Sequence, residues 1–461
     1  MAAFALSLAA AAIVAAGFAC FGNLVFDRRP ASLADWNESF LAGLGIVAAA
    51  SIPLSLIGRP WLGFAILIGL LLVVALRRSD FAVRRPGAPP TRLRTRVAAA
   101  AAVMPGLALF AMTNARSSYA WDGFQIWMTK AQEFYWTGNY LLAVPTPKYM
   151  ERIVGYPVAV PLYEALVGSF YRAFPMEAAK AVFTVFAASL AVGTFHLVAG
   201  LSDRRTAAVA AGLTALLPGL TMGSATGGYA DMPLAAVVAA VAAASLRTRA
   251  DALSWRSPAP WLLGALTTVK SEGMVLLGIG LGVLALQALA QRARIPAGAS
   301  SALAPLVPFV ATRVVQGTFV RAADITFAPV GSLRLETILI RGPWIVSGMF
   351  HWLLNFRLWG VLWPAFAVAF LIVARTAPRS GAMPVAAAAL VAVLVDGSLF
   401  LYTNWGDGRL HLDQAFPRLL AQVAPLAVAT VAAAAFALRS RSSADDRRGL
   451  EPAGSLPGAT A

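Results

Sequence analysis

The sequence predicts an all-α fold: a polytopic bundle of about 13 membrane-spanning helices. Three observations carry that expectation. The 461-residue chain is 59% hydrophobic and only 13% charged, a balance foreign to soluble globular domains. Its apolar residues are gathered into runs long enough to cross a hydrocarbon layer. Its formal charge of +16 is crowded into the short loops of one side, which marks topology rather than a nucleic-acid surface. No nucleic-acid partner is expected; the lipid bilayer is. The single cysteine, Cys20, excludes an intrachain disulfide, and His196, His351 and His411 stand too far apart in sequence to form a metal motif.

Taken in order, residues 4–21 form the first apolar run, and with no basic segment ahead of it this reads as a retained span. Spans at 40–57 and 61–76 follow, separated by the turn Gly58-Arg59-Pro60. Residues 77–96 hold seven arginines with Pro86, Pro89 and Pro90, a basic cytoplasmic loop and a natural boundary. The chain thus divides into an N-terminal three-span extension (1–76), this loop, a core (97–438) and a tail (439–461) whose composition predicts disorder. The span 97–112 leads outward into a large outer loop, 113–175. Within that loop Trp127, Met128, Ala131, Phe134 and Tyr135 share one helical face, the pattern of an amphipathic interfacial helix. Residues 156–174, interrupted by Pro157, Pro161 and Glu164, read as a second interfacial or re-entrant helix. Spans at 176–201, 207–222 and 232–246 come next. The run 261–289 is broken by Lys270-Ser271-Glu272-Gly273 into two short helices. A span at 302–315, a second outer loop at 316–356 and spans at 358–373, 383–400 and 419–438 complete the core. The amino terminus is outside and the carboxyl terminus in the cytoplasm.

This topology collects the ionisable residues of the core at one face: Asp122, Asp231, Lys270, Glu272, His411 and Arg418. Charges beside lipid are costly and tend to mark sites for polar substrates. Each also has a plain structural reading. Asp122-Gly-Phe-Gln125 has the form of a capping box, so helix cap and catalytic carboxylate stand level on chemistry alone. Asp231 before Met232-Pro233 suits an N-cap, Lys270 and Glu272 suit a local pair, and Arg418 suits a snorkelling residue. The aromatic set of the outer loop suits an interfacial belt.

The motif Trp121-Asp122-x4-Trp127-x2-Lys130-Ala131, with Gly155-Tyr156-Pro157-x3-Pro161-Leu162 behind it, resembles the first outer loop of the bacterial GT-C glycosyltransferases. These are the polytopic enzymes related to protein mannosyltransferases and to the aminoarabinose transferase of lipid A. Gly228-Tyr229-Ala230-Asp231-Met232-Pro233, Lys270-Ser271-Glu272-Gly273 and His411-Leu412-x5-Arg418-Leu419-Leu420-x-Gln422 are similar to later motifs, in family order. The resemblance implies a GT-C-like fold in a bacterial plasma (inner) membrane, with the active site facing outside. It implies transfer of a sugar, with inversion, from a polyprenyl-phosphate donor to a lipid, glycan or protein acceptor. Asp122 matches the general base. Lys270 and Arg418 are candidates to hold the leaving phosphate. Asp231 and Glu272 would orient a sugar or, with Asp122, hold a divalent cation such as Mg or Mn. Trp121, Trp127, Lys130, Tyr156 and His411 complete the expected substrate site. Two alternatives stand beside this one: an O-antigen-ligase-type glycan transferase using the basic outer loop, and a transporter or flippase of lipid-linked sugars. The lack of an internal repeat and the gathering of charge at one face favour the enzyme over the transporter.

Overall fold

Small residues decide how this bundle packs, because between apolar helices in lipid it is close backbone approach that supplies the contact. The computed structural model describes residues 2–26, 30, 32–56, 93–138, 156–222, 225–247, 257–290, 303, 305–319, 334–403 and 407–449. Every regular element among them is helical. The longer ones, in order, are α1 (Ala2–Val25), α2 (Leu33–Leu56), α3 (Leu93–Arg116), a π-helical turn (Gly123–Met128) running into α4 (Thr129–Thr137), α5 (Ala159–Gly168), α6 (Ala181–Ala199) and α7 (Arg204–Leu216). Then come α8 (Asp231–Arg247), α9 (Pro258–Val269), α10 (Gly273–Ala290), α11 (Leu306–Phe319), α12 (Leu335–Leu353), α13 (Leu362–Thr376), α14 (Ala382–Leu399) and α15 (Gly408–Gly449).

The chain is a multi-pass membrane protein. Among the described residues six helices are long and apolar enough to cross a membrane, and three shorter apolar helices accompany them. The expected third span (61–76), most of the basic loop, residues 139–155 and residues 320–333 lie outside the described residues.

Two helices form the centre. α8 presents Ala235, Ala236, Ala239, Ala240, Ala243 and Ala244, all buried, and packs against α6, α9, α15 and α2. α15 packs in turn on α6, α7, α8, α12, α13 and α14. The crossing of α3 and α7 shows why glycine is placed where it is. A Cβ on Gly106 would lie 2.8 Å from the Ala215 carbonyl oxygen, and one on Gly212 would lie 2.5 Å from that of Ala102. The N-terminal helices are woven into the same core. Tyr163 of α5 donates to the Ala11 carbonyl at 2.7 Å, and Ser189 of α6 to Asn37 Oδ1 at 2.6 Å. Such interhelical bonds contribute on the order of 0.6–2 kcal/mol each in a bilayer.

Several boundaries differ from those the sequence suggests. The expected span 207–222 stops at Leu216 because Leu217 turns to extended backbone before Pro218, and a single helical turn (Pro218–Thr221) follows. Its start is set by Asp203, whose carboxylate accepts from Arg205 N, Thr206 N and Thr206 Oγ1. That cap contributes about 1 kcal/mol. The break at 270–273 forms as expected: α9 ends at Val269, Lys270 is extended, and α10 opens at Gly273. Residues 335–353, within the region read as an outer loop, form a regular helix. α15 begins eleven residues ahead of the expected 419, at Gly408, and runs to Gly449; residues 450–461 of the expected tail lie outside the described residues. Asp407 starts it, accepting from Arg409 N and Leu410 N.

Candidate active site

Asp122 sits where two polypeptide segments are pressed together. Ala120 N donates to the Gly227 carbonyl at 2.9 Å, and a Cβ on Gly123 would run into that same oxygen. Gly228 adopts φ +81°, a left-handed conformation that L side chains rarely take, and a Cβ there would strike the Tyr119 ring. Only glycine at both positions lets residues 117–123 lie against residues 225–231, and that contact sets Asp122 beside Tyr229 and Asp231.

Asp122 does not cap its helix. Its backbone is already helical (φ −66°, ψ −35°), and its side chain makes no capping bond. The carboxylate turns instead to Arg418, whose Nη1 donates to Asp122 Oδ2 at 2.7 Å. The chain after Asp122 winds as a π-turn, a form frequent at functional sites.

Asp231 opens α8 with both oxygens committed to side chains. Oδ1 accepts from Lys270 Nζ at 2.7 Å and from Gln422 Nε2 at 2.9 Å, and Oδ2 accepts from Arg418 Nε at 2.9 Å. The break between α9 and α10 brings Lys270 here, where it also pairs with Glu272 Oε1 at 2.7 Å. Arg418 and Gln422 reach Asp231 together because residues one turn apart on α15 share a face. The guanidinium stacks 4.1 Å from the centre of the Tyr229 ring, a cation–π contact that fixes its plane.

Three carboxylates (Asp122, Asp231, Glu272) and two cations (Lys270, Arg418) therefore form one linked cluster of net charge −1. Its inner pair is sealed: Asp231 is 1% exposed and Lys270 4%. Its rim is open, with Asp122 30% exposed, Glu272 25% and Arg418 22%. A buried ion pair with every hydrogen bond made is stable; one that loses a partner is not. The arrangement joins a rigid anchor, Asp231, to a reachable carboxylate and a reachable guanidinium.

The carboxylates do not converge as a Mg or Mn site. Asp231 is ringed by donors, Arg418 lies between it and Asp122, and among the described residues no three His, Cys, Asp or Glu side chains gather as metal ligands would.

The other expected residues fall into two places. Trp121, 75% exposed, stands beside Asp122 at the rim. Trp127 and Lys130 are buried behind it and fasten the chain at Tyr156: Trp127 meets the Tyr156 ring edge-to-face at 5.9 Å, and Lys130 Nζ donates to the Tyr156 carbonyl at 2.7 Å. Burial, with Arg313 nearby, pushes the Lys130 ammonium well below its ordinary pKa. These three residues brace the site rather than face it. His411 shares the Arg418 face of α15, but its Nδ1 is paired with Thr403 Oγ1 at 2.6 Å and its ring packs on Phe400.

Sequence reading assigned no role in the site to Tyr229, Gln422 or Asp396. Gln422 had a visible signal, a polar side chain four residues after Arg418 inside an apolar run. Asp396 had one too, as the lone acid of α14, and it is buried there. Tyr229 had none beyond its place two residues before Asp231.

No protein-family model and no curated protein matches the chain. Two solved structures are similar to it. One is ArnT from Cupriavidus metallidurans bound to undecaprenyl phosphate: 18% identity, 76% of this chain and 62% of that one, TM-score 0.49. The other is the same protein in the apo state: 17% identity, 75% and 62% of the two chains, TM-score 0.46. This chain covers about three fifths of the length of those chains.

Proposed function

We propose that this protein is a membrane glycosyltransferase that moves a sugar from a polyprenyl-phosphate donor to an acceptor hydroxyl at the outer face of a bacterial plasma membrane. The observation that carries this reading is convergence. Four segments far apart in the chain, each resembling a GT-C motif, meet in one cluster through Asp122, Asp231, Lys270–Glu272 and Arg418–Gln422. A helix cap, a local pair and a snorkelling arginine would have no reason to touch one another.

The chemistry follows from the groups present. Asp122 takes the proton of an acceptor hydroxyl. The acceptor oxygen forms its bond to the anomeric carbon from the face opposite the phosphate, and the bond from that carbon to the phosphate oxygen breaks. The electron pair leaves with the polyprenyl phosphate, so the sugar inverts. Arg418, reachable at the rim, is the cation able to contact that developing charge, and the sealed Lys270 adds its field from behind Asp231. General-base assistance of this kind is worth roughly 10²–10⁴ in rate. The cluster as it stands is net negative, so an arriving phosphate has to compete with Asp122 for Arg418. Winning that guanidinium releases Asp122 to act as base, which orders the reaction with donor first. Trp121, exposed beside Asp122, is placed to stack on a sugar or lipid. Residues 97–438 are the catalytic core in this reading, residues 77–96 the cytoplasmic loop that orients it, and residues 1–76 an extension whose first two helices brace the core. The acceptor is a lipid, a glycan or a protein.

The test is sugar transfer by the purified protein in lipid, using a panel of polyprenyl-phosphate sugars with a membrane extract as acceptor. Transfer with stoichiometric release of polyprenyl phosphate supports the reading. Movement of the lipid-linked sugar across the bilayer without transfer refutes it in favour of a transporter.

A further inference from the structure

Beneath the Asp122 segment lies a second polar cluster, separate from the cation–carboxylate site. Lys180, fully buried at the head of α6, spends its ammonium on that segment: Nζ donates to the Ser117 carbonyl at 2.7 Å, to Ser117 Oγ at 2.8 Å and to the Ser118 carbonyl at 3.4 Å. An ammonium has three protons, so none is left for a substrate. Ser117 Oγ in turn donates to the Thr226 carbonyl at 2.9 Å, on the segment that carries Tyr229 and Asp231. Tyr119 donates to Glu164 Oε1 at 2.6 Å, and the Lys180 ammonium lies 5.4 Å from the centre of the Tyr119 ring. Glu164 is completely buried in α5, and its Oε2 has no hydrogen-bond partner among the described residues. Asn114 at the end of α3 closes the set by donating to the Lys180 carbonyl at 2.8 Å.

An ordinary apolar filling would pack α5 and α6 under this segment at lower cost than a buried lysine and glutamate. What these two polar groups add is direction. Lys180 fixes the backbone four and five residues before Asp122, and Glu164 fixes the ring against which Gly228 is packed. We infer that Lys180, Tyr119 and Glu164 are positioning residues that hold the segment bearing Asp122 in register with the segment bearing Asp231, and thereby aim the base at the acceptor. The inference rests on the proposed transferase reading for its catalytic half only.

Two readouts separate the two claims. The first is amide hydrogen exchange across residues 117–124, whose Ala120 and Phe124 amides are bonded to the Gly227 and Ala120 carbonyls. The second is steady-state transfer. Tyr119→Phe removes one oxygen and keeps the ring, so it remains useful if Lys180→Met fails to fold. Both variants should exchange these amides at least about tenfold faster than wild type. They should also lose kcat by about 10–100-fold, as expected of a displaced base, with KM for the donor within about twofold because the cations remain. Glu164→Gln keeps the acceptor oxygen for Tyr119 and should behave as wild type, whereas Glu164→Leu should behave as Tyr119→Phe. Unchanged exchange in Tyr119→Phe overturns the inference, as does faster exchange with kcat unaltered. If wild type transfers no sugar at all, the transferase reading fails and exchange alone decides whether the segment is held in this way.

Discussion

Neutralising Asp231 while leaving its two cations in place should be among the most damaging single changes in the core. Asp231→Asn preserves volume and one acceptor oxygen but removes the charge facing Lys270 and Arg418 at 2.7 and 2.9 Å. Each of these charge-assisted hydrogen bonds is worth about 1.5–3 kcal/mol, and a buried pair deprived of one partner loses about 3–5 kcal/mol. Arg418 can fall back on Asp122 and Lys270 on Glu272, so the expected loss is the lower end, about 3 kcal/mol. Lys270→Met alone strands Asp231 less severely, since Gln422 and Arg418 remain; about 2 kcal/mol is expected. The double variant removes both charges of the sealed pair and should cost less than the sum by at least about 1.5 kcal/mol. The assay is reversible unfolding in mixed micelles of the wild type, both single variants and the double variant. A coupling below about 0.5 kcal/mol would refute the argument, because contacting charges in a dry site cannot act independently.

Other expectations are simpler. Gly228→Ala demands a side chain at φ +81° and drives a Cβ into the Tyr119 ring; activity should fall at least about tenfold, with a loss of about 1–3 kcal/mol in stability, read by transfer rate and melting. Asp203→Ala removes the cap of α7 and should cost about 1 kcal/mol at neutral pH. Hydrogen bonds from the Thr206 amide and hydroxyl hold the Asp203 carboxyl below its ordinary pKa. Its stabilisation is therefore full above the ordinary carboxylate range and is lost as pH falls through the lowered value, so variant and wild type should converge on acidification. Arg418→Gln should raise KM for the donor and lower kcat together, since the guanidinium serves both the phosphate and the placement of Asp122; a change in KM alone would remove it from the transition state.

Much of the helical architecture was legible because hydropathy is read directly by the bilayer. The helical break at Lys270 was legible for the same reason, since charge and glycine inside an apolar run leave few alternatives. Helix ends were less so. Asp407 caps α15 well before the apolar run begins, and only tertiary packing decides that Gly408–Arg418 is helix rather than loop. The site residues were legible singly but not in their partnerships: sequence offered helix capping for Asp122 and Asp231, and the fold spends both carboxylates on Arg418. Lys130 was misleading. The resemblance made it a substrate residue, yet it lies buried just after the π-turn from Gly123 to Met128, with its ammonium on the Tyr156 carbonyl. Glu164 showed only as a charge interrupting an apolar run, and Lys180 drew no attention, because their meaning lies in contacts with residues 45 to 63 positions away.

The central claim is that Asp122 is the base, and the most direct measurement is the single-turnover transfer rate of Asp122→Asn at saturating donor. The substitution keeps an oxygen for Arg418, so folding and donor binding should persist. The account predicts a rate reduced by roughly 10²–10⁴ with the donor still bound. Transfer at a rate within a few-fold of wild type would contradict it and return Asp122 to a structural role.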